Sequence, residues 1–211
     1  MNTLFGLERM VPFTAEVLAS LHAGINIDLW PLRLLGLAMA LAVVVRVWRY
    51  RPPDDRFTAT VLTIFWLWNG LAYMGHYRAE LDWAAPGYGL LFVVEGALLT
   101  WFGIVRPRIG FDRAGRSARA MGGMMAVFAL VALPLLTWFV TGDPEGAETV
   151  GLLPTPTTVF TLGVLVMVGI GAPRILFLLP LVWSAVGGAL GWVSGSWLEL
   201  CLPLAGALAL I

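Results

Sequence analysis

The feature that most constrains the fold of this chain is a series of apolar runs separated by short polar loops. A helix needs about 20 mostly apolar residues to cross the hydrocarbon core of a bilayer. Charged residues make up only 12% of the chain, whereas soluble domains carry roughly 25%. The sequence therefore predicts an integral membrane protein with helical spans. Five segments meet or nearly meet the required length: about 29–48, 57–77, 87–105, 120–141 and 174–194.

Two further apolar segments, at about 157–172 and 197–211, are short for a span. A helix of about 16 residues covers about 24 Å of a hydrocarbon core that is roughly 30 Å thick. The two segments are therefore interpreted either as short spans or as a broken or re-entrant pair. We expect an all-α bundle of seven, alternatively six, transmembrane helices that forms a single domain over residues 29–211.

Residues 1–28 precede the first span and are interpreted as an N-terminal extracytoplasmic or interfacial segment. The spacing of apolar residues over 13–25 predicts an amphipathic helix that lies on the membrane surface or packs over the bundle as a cap. The apolar positions are Phe13, Val17, Leu18, Leu21 and Ile25.

The arginines divide unevenly between the two sides of the predicted bundle. Because positively charged loops stay in the cytoplasm, we expect the N-terminus outside and the C-terminus inside. Thirteen basic residues without one lysine are typical of a GC-rich bacterial genome, so the expected location is the bacterial inner membrane, with multiple spans. Ten arginines fall on the predicted cytoplasmic side: Arg46, Arg49, Arg51, Arg56, Arg106, Arg108, Arg113, Arg116, Arg119 and Arg174.

Polar residues of the predicted spans gather in the outer half of the membrane. An ionisable side chain at the bilayer centre costs about 2.5 to 3.5 kcal/mol on insertion scales, so each one needs a reason. At 1.5 Å per residue, Asn69 and Glu95 lie at a similar depth, about 12 Å below the outer surface. The sequence predicts an outward-facing polar pocket lined by Arg33, Asn69, Tyr73, His76, Tyr88, Glu95, Thr157, Thr158 and Thr161.

Glu95 has two interpretations that the sequence leaves open. In the first, it is a buried carboxyl group that binds a proton or another cation. In the second, it is a structural residue that pairs with Arg33 or accepts hydrogen bonds from Asn69 and from indole N–H groups.

The segment "LLPTPTTVFTLG", residues 152–163, opens the short fifth span. We expect Thr155 as its N-cap and Pro156 at the first helical position. Thr157, Thr158 and Thr161 are expected to return their hydroxyls to carbonyls of the preceding turn. Because helix N-termini bind anionic groups in some transporters, these threonines are also a candidate wall of the pocket.

Motifs of common enzyme classes are absent from the sequence. It has no Walker-type phosphate loop, no GxSxG elbow and no HExxH motif, so no catalytic residue is assigned and an enzyme is not expected. His22 and His76 are weak candidates for a metal or haem site, and no cofactor is predicted. The expected partners are the lipid bilayer and a small solute or ion, with no nucleic acid.

Gly187, Gly191 and Gly195 follow a small-xxx-small spacing on the sixth span. This spacing lets helices approach closely. It is interpreted as packing within the bundle, and it is also compatible with a homo-oligomer.

Several stretches together resemble an uncharacterised family of small bacterial polytopic membrane proteins. The most specific are a Pro-Thr-Thr-x-Phe-Thr helix opening and a later Pro-Arg turn. The family often carries Cys-Pro-Thr-Thr, whereas this chain has Thr155 before Pro156, which argues against thiol chemistry there. The resemblance implies a fold and no activity. The matching stretches are "LWPLRLL" (29–35), "WLWNGLAY" (66–73), "LLFVVEGALL" (90–99), "PTTVFTLG" (156–163) and "PRILFLLPLVWSAVGG" (173–188).

The sequence favours a transporter or channel for a small solute or ion, with Glu95 as the coupling or selectivity carboxylate. The alternative is a non-catalytic assembly or sensor subunit, in which the polar residues only join helices. A haem- or metal-binding membrane protein that uses His22 and His76 is the third hypothesis.

Overall fold

A computed structural model describes residues 14–50 and 55–210, and the regular structure in these ranges is helical throughout. Residues 1–13 of the predicted N-terminal segment, together with Arg51, lie outside the described ranges. The helices of the described ranges are α1 (Ala15–Asp28), α2 (Trp30–Tyr50), α3 (Arg56–Glu80), α4 (Ala85–Val105), α5 (Arg116–Thr141), α6 (Pro154–Val168), α7 (Ile175–Ser194) and α8 (Trp197–Ala209).

Five of these helices, α2, α3, α4, α5 and α7, are long and apolar enough to cross a membrane. They coincide with the five long apolar runs, so this part of the prediction is confirmed. The other apolar helices, α6 and α8, are shorter. At 15 residues, α6 is about 22 Å long. The total number of spans and the orientation stay predictions.

The helix ends and loops that carry most of the arginines meet at one end of the bundle, called here the arginine end. The backbone N–H of Asp55 donates to the carbonyl of Ile109 at 2.8 Å, which joins the loop before α3 to the loop after α4. The Arg119 guanidinium lies 5.5 Å from the ring centre of Trp48, at the last turn of α2. The structure therefore gathers the loops that the positive-inside rule assigns to one side.

Helix α6 is the centre of the bundle, because every one of its residues is buried. Its sequence, "PTPTTVFTLGVLVMV", is apolar or hydroxylated on all faces, as a helix enclosed by others requires. A Cβ at Gly163 would lie 2.7 Å from the carbonyl oxygen of Gly122, so α6 and α5 touch through their backbones. The preceding loop, 146–153, is also buried, so loop and helix form one continuous segment inside the protein.

Helix α3 changes its winding halfway along its length. It is α-helical over Arg56–Trp68, π-helical over Asn69–Tyr77 and 3₁₀-helical over Arg78–Glu80. In the π-helical part the N–H of Arg78 donates to the carbonyl of Tyr73, five residues earlier. The wider turn leaves Tyr73 and Arg78 buried and His76 exposed.

Helix α1 packs over the bundle as a cap, the second of the two predicted arrangements. Thr14 accepts a hydrogen bond from the N–H of Val17 and so begins the helix. On its inner face Asn26 donates through Nδ2 to the carbonyls of Glu145 and Ala147, at 2.6 and 2.9 Å. These bonds fasten α1 to the loop between α5 and α6.

The glycine seam of α7 faces α8 of the same chain. A Cβ at Gly187 would lie 2.6 Å from Leu202 Cδ1, and one at Gly191 would overlap the side chain of Glu199. Gly195 is the C-cap of α7, with a φ of 76°. Gly187 and Gly191 therefore contact α8 within the chain, whereas Gly195 is exposed. A homo-oligomer stays a prediction.

Candidate functional site

Polar side chains of α3 and α6 form a buried network, called here the threonine cluster: Trp66, Asn69, Thr157 and Thr161. Trp66 Nε1 donates to Thr161 Oγ1 at 2.9 Å. Asn69 Nδ2 donates to the carbonyl of Phe65 at 2.8 Å and lies 3.5 Å from Thr157 Oγ1. Thr157 also accepts from the N–H of Gly151 at 2.9 Å. The structure thus brings these predicted pocket residues together, but they bond to one another in a closed core.

The hydroxyls of Thr158 and Thr161 return to the helix backbone, as the sequence predicted. Thr158 Oγ1 donates to the carbonyl of Pro154 and Thr161 Oγ1 to that of Thr157, each at 2.8 Å. Both hydroxyls are therefore satisfied without a ligand.

The start of α6 differs from the prediction by two residues. Pro154 occupies the first helical position and Leu153 is the N-cap, because the fixed φ of Pro154 already suits a helix start. Thr155, expected as the cap, lies inside the first turn instead. Its hydroxyl donates to Glu199 Oε2 at 2.7 Å. The residue expected to cap α6 therefore joins it to α8.

Glu95 lies in the core of the bundle, with an exposed fraction of 0%. Neither of its carboxyl oxygens has a hydrogen-bond partner among the described residues. The predicted pair with Arg33 is not formed, because Arg33 Nη1 lies 3.4 Å from Glu145 Oε2 near the surface. A buried acid without a partner is unfavourable, so Glu95 departs from the usual pairing of buried polar groups.

Aromatic rings cover Glu95 on the side away from the arginine end. The ring of Phe92, one turn before Glu95 in α4, lies 4.7 Å from that of Trp66 and 5.0 Å from that of Trp183. Tyr88, another turn away and half-buried, lies 5.8 Å from the ring of Trp183. Because Glu95 itself is fully buried, the predicted vestibule is not open to it in this structure.

A second polar group occupies the end opposite the arginine end and is called the glutamate cluster: His22, Tyr73, Arg78, Glu148, Thr155 and Glu199. All of its members are buried, with exposed fractions of 8% or less. Helix α1, helix α3, the buried loop and the first turns of α6 and α8 each supply at least one member. Segments far apart in sequence thus place two acids, one guanidinium, an imidazole and a phenol in a water-poor space.

Hydrogen bonds link the side chains at the centre of the glutamate cluster. The Tyr73 hydroxyl accepts a hydrogen bond from Arg78 and lies 2.8 Å from His22 Nε2. Which of the two groups donates depends on which nitrogen of the His22 ring carries the proton. His22 Nδ1 lies 3.9 Å from Glu148 Oε1, so the imidazole ring lies between Tyr73 and Glu148.

Acidic groups outnumber basic groups around this cluster. Arg78 Nε lies 3.8 Å from Asp82 Oδ2, so a third acid shares its charge. Burial, with a contribution from the Arg78 charge, lowers the pKa of His22 to about 3 and keeps the ring neutral. Burial and repulsion by Glu199 raise the pKa of Glu148 well above its usual range. The two glutamates therefore disfavour carrying two negative charges at once.

A small cavity adjoins the glutamate cluster. Its volume of about 10 Å³ is the size of one water molecule. Trp183 Nε1 is buried beside it and has no hydrogen-bond partner in the described ranges. The cavity thus offers one water a donor at Trp183 and an acceptor at Glu199. It is lined by Leu18, Arg78, Trp183, Gly187, Leu190, Gly191, Ser194 and Glu199.

The two histidines considered as metal or haem ligands do not share a site. His22 is buried in the glutamate cluster, whereas His76 is exposed and packs edge-on against Tyr77, with 5.1 Å between ring centres. Within residues 14–50 and 55–210, no group of three or more His, Cys, Asp or Glu side chains could hold a metal.

Four members of the glutamate cluster were not predicted as site residues: Arg78, Glu148, Thr155 and Glu199. With α-helical spacing, His76 would lie on the same face of α3 as Tyr73. Because this part of α3 is π-helical, Arg78 lies on that face instead. Glu148 resembles an ordinary loop acid. One signal for its burial does exist, since the residues after it, "TVGLLP", are almost purely apolar.

Comparison with known proteins gives one match. The model of a family of unknown function, DUF6064, matches residues 15–211, which is nearly the whole chain. Searches of curated proteins and of solved structures found no match.

Proposed function

The chain belongs to DUF6064, a family of unknown function, and we propose that it transports or conducts a small solute or ion across a membrane. In this proposal Glu95 is the carboxyl group that binds the transported or coupling cation, the simplest being a proton. The chain resides in the bacterial inner membrane with its arginine end in the cytoplasm, as the positive-inside rule indicates.

The observation that carries the proposal is the unpartnered carboxyl group of Glu95. A structural glutamate at this depth would be expected to have a paired charge or hydrogen-bond donors, because a buried unsatisfied acid costs stability. Some nearby polar groups do follow that rule: the Trp66 indole and the Thr161 hydroxyl bond to each other. Asn69 Oδ1 and Trp183 Nε1 have no hydrogen-bond partner among the described residues, but neither group is ionisable. An acid kept at this cost is typical of ion and proton pathways in membranes.

The aromatic rings above Glu95 fit a transporter in a closed state. Phe92 and Trp183 lie in edge-to-face contact, and Trp183 also borders the small cavity of the glutamate cluster. A change in the positions of the Phe92 and Trp183 rings would connect Glu95 to the end of the bundle that holds the glutamate cluster. The closed arrangement also suits a carrier better than an open pore.

The test is ion flux in proteoliposomes that hold the wild-type chain or Glu95→Gln. With a potassium diffusion potential and an internal pH dye, we expect wild-type protein to move protons and Glu95→Gln to abolish that flux. Glutamine keeps the size of the side chain but cannot release a proton. Sodium and potassium fluxes are measured in the same vesicles.

The matched control is Glu80→Gln, which removes an exposed acid at the end of α3 and should leave flux unchanged. Melting temperatures in detergent confirm that each variant is folded. Wild-type liposomes that move none of the three ions, or a Glu95→Gln variant with full flux, would contradict the proposal.

A non-catalytic assembly or sensor subunit is the second candidate, and the threonine cluster favours it. Its hydrogen bonds join α3 to α6 and leave few groups for a ligand. This role predicts that wild-type protein carries no flux and that Glu95→Gln changes only the melting temperature, so the same experiment separates the two candidates.

A further inference from the structure

The glutamate cluster contains a binding site of its own, distinct from Glu95. We propose that Glu148 and Glu199 form a carboxyl pair that binds a proton and exchanges it with the adjacent compartment through the small cavity. The biological role of this pair rests on the proposed function, in which protons enter the protein at the pair. Proton binding itself is a separate property and is tested separately.

The two carboxyl groups are held by different partners within the buried glutamate cluster. Thr155 donates to Glu199 Oε2 at 2.7 Å, and His22 Nδ1 lies 3.9 Å from Glu148 Oε1. His22 joins Glu148 to Tyr73, because its Nε2 lies 2.8 Å from the Tyr73 hydroxyl. Glu148 Oε2 is buried without a hydrogen-bond partner among the described residues. A proton on Glu148 supplies a donor at this carboxyl group.

The charges around the pair come from several packed segments. Helix α3 contributes Arg78 and the phenol of Tyr73, the loop after α3 contributes Asp82, and α1 contributes the neutral ring of His22. The thiol of Cys201, on α8, also lies within electrostatic reach of both glutamates. One guanidinium therefore faces three acids. It offsets part of their charge, and a proton on the pair offsets another part.

A proton fits this site better than a metal ion or an organic solute does. The Arg78 guanidinium borders the same cavity as Glu199 and would repel a metal cation. The volume of about 10 Å³ excludes anything larger than a water molecule. The chemistry is then a simple transfer: the water gives a proton to a glutamate oxygen and takes another from bulk solvent.

The test is an infrared titration of the purified full chain in lipid nanodiscs. Glu95→Gln serves as the parent, so that Glu95 contributes no signal. We expect the parent to show a carbonyl band of a protonated carboxylic acid at neutral pH. Adding Glu148→Gln should remove that band, because Glu199 then ionises with the hydrogen bond from Thr155 and beside Arg78. Adding Glu199→Gln should lower the pH at which the band is lost, because the repulsion by Glu199 is gone while the burial of Glu148 remains.

An effect of both substitutions on one and the same band is the signature of a shared proton. Glu145→Gln, an exposed acid three residues before Glu148, is the matched control and should keep the band. Two half-sized losses would mean two independent acids and would overturn the proposal. A band displaced by sodium at constant pH would overturn it too, because the site would then bind a metal cation.

Thr155→Val adds a variant that keeps both acids. It removes the hydrogen bond to Glu199 Oε2. That bond favours the charged form of Glu199. The band should persist to a higher pH, by on the order of one unit. An unchanged titration in a folded Thr155→Val variant would contradict the site. If the band behaves as expected while liposomes show no flux, the proposal of a proton-binding carboxyl pair is supported and the proposed transport function is wrong.

Discussion

Single residues of this protein show two ways in which a buried acid is accommodated. Glu199 accepts a hydrogen bond from Thr155 and lies near the Arg78 guanidinium. Glu95 has neither kind of partner among the described residues. A hydrogen bond to a charged group contributes about 1.5–3 kcal/mol, so the two acids differ by a large fraction of a typical stability. Packing alone therefore explains Glu199 better than it explains Glu95.

His22 makes the stability of the fold depend on pH. Its folded pKa of about 3 lies below its ordinary value of 6.5, so between these values the unfolded chain binds a proton that the folded chain does not. The contribution is fully present above pH 6.5 and is lost as the pH falls, by up to about 1.4 kcal/mol per unit. In His22→Gln this dependence should disappear. The melting temperatures of wild type and variant should therefore converge between pH 6.5 and 4.

The exposed His76 supplies the control for this measurement. His76→Gln should follow the wild-type curve, because its ring is outside the buried network. The acids that titrate in the same range affect all three proteins alike, so the difference between curves isolates His22. Parallel curves for wild type and His22→Gln would mean that the imidazole is not buried as described.

At the scale of helices, the contact between α5 and α6 sets how tightly the centre is packed. An added Cβ at Gly163 would lie 2.7 Å from the Gly122 carbonyl oxygen and 2.9 Å from the Ala126 nitrogen. Gly163→Ala must therefore push two backbones apart, at a cost of about 1–3 kcal/mol. The expected result is a lower melting temperature in detergent.

Gly24→Ala is the matched substitution, since it also lies inside a helix but an added Cβ there meets nothing within 4 Å. It should leave stability unchanged or raise it by up to about 1 kcal/mol, because alanine favours helix. Equal melting temperatures for the two variants would contradict the close contact of α5 with α6.

The long helices were predictable from sequence, because a bilayer leaves a simple signal: about 20 apolar residues between charged loops. The inner geometry was less predictable. Because part of α3 is π-helical, Arg78 and not His76 lies beside Tyr73. The sequence of that part, "NGLAYMGHY", does not indicate a π-helix. The Thr155–Glu199 bond depends on where α8 returns, 44 positions later in the chain. Such contacts are set by packing and not by local spacing.

The whole molecule has two chemically different ends. At the arginine end, basic side chains lie at helix ends and in loops, as the pairing of half-buried Arg46 with Asp55 and the stacking of Arg119 on Trp48 illustrate. At the opposite end, titratable groups are buried under α1. A proton that enters at the buried end would meet the glutamate cluster first and the aromatic rings above Glu95 next. The compartment from which the protons come therefore depends on which end of the bundle faces the cytoplasm.

Single-cysteine labelling measures that orientation. The one native cysteine, Cys201, is first replaced by alanine. Trp83→Cys probes the loop between α3 and α4, and Asp112→Cys probes the loop between α4 and α5; both native side chains are exposed. With a membrane-impermeant maleimide, we expect Trp83→Cys to react in intact spheroplasts and Asp112→Cys to react only in inverted vesicles.

The same labelling decides whether the short central helix crosses the membrane. Gly171→Cys follows α6 and Trp197→Cys begins α8, both at exposed positions. If α6 is a span, Gly171→Cys should react with the maleimide from the cytoplasmic side, as Asp112→Cys does. Trp197→Cys should react with it from the outside, as Trp83→Cys does. The buried loop before α6 lets a helix of about 22 Å suffice, because protein, not lipid, surrounds its start. Labelling of Gly171→Cys in intact spheroplasts would instead make the loop and α6 a re-entrant segment and reduce the number of spans.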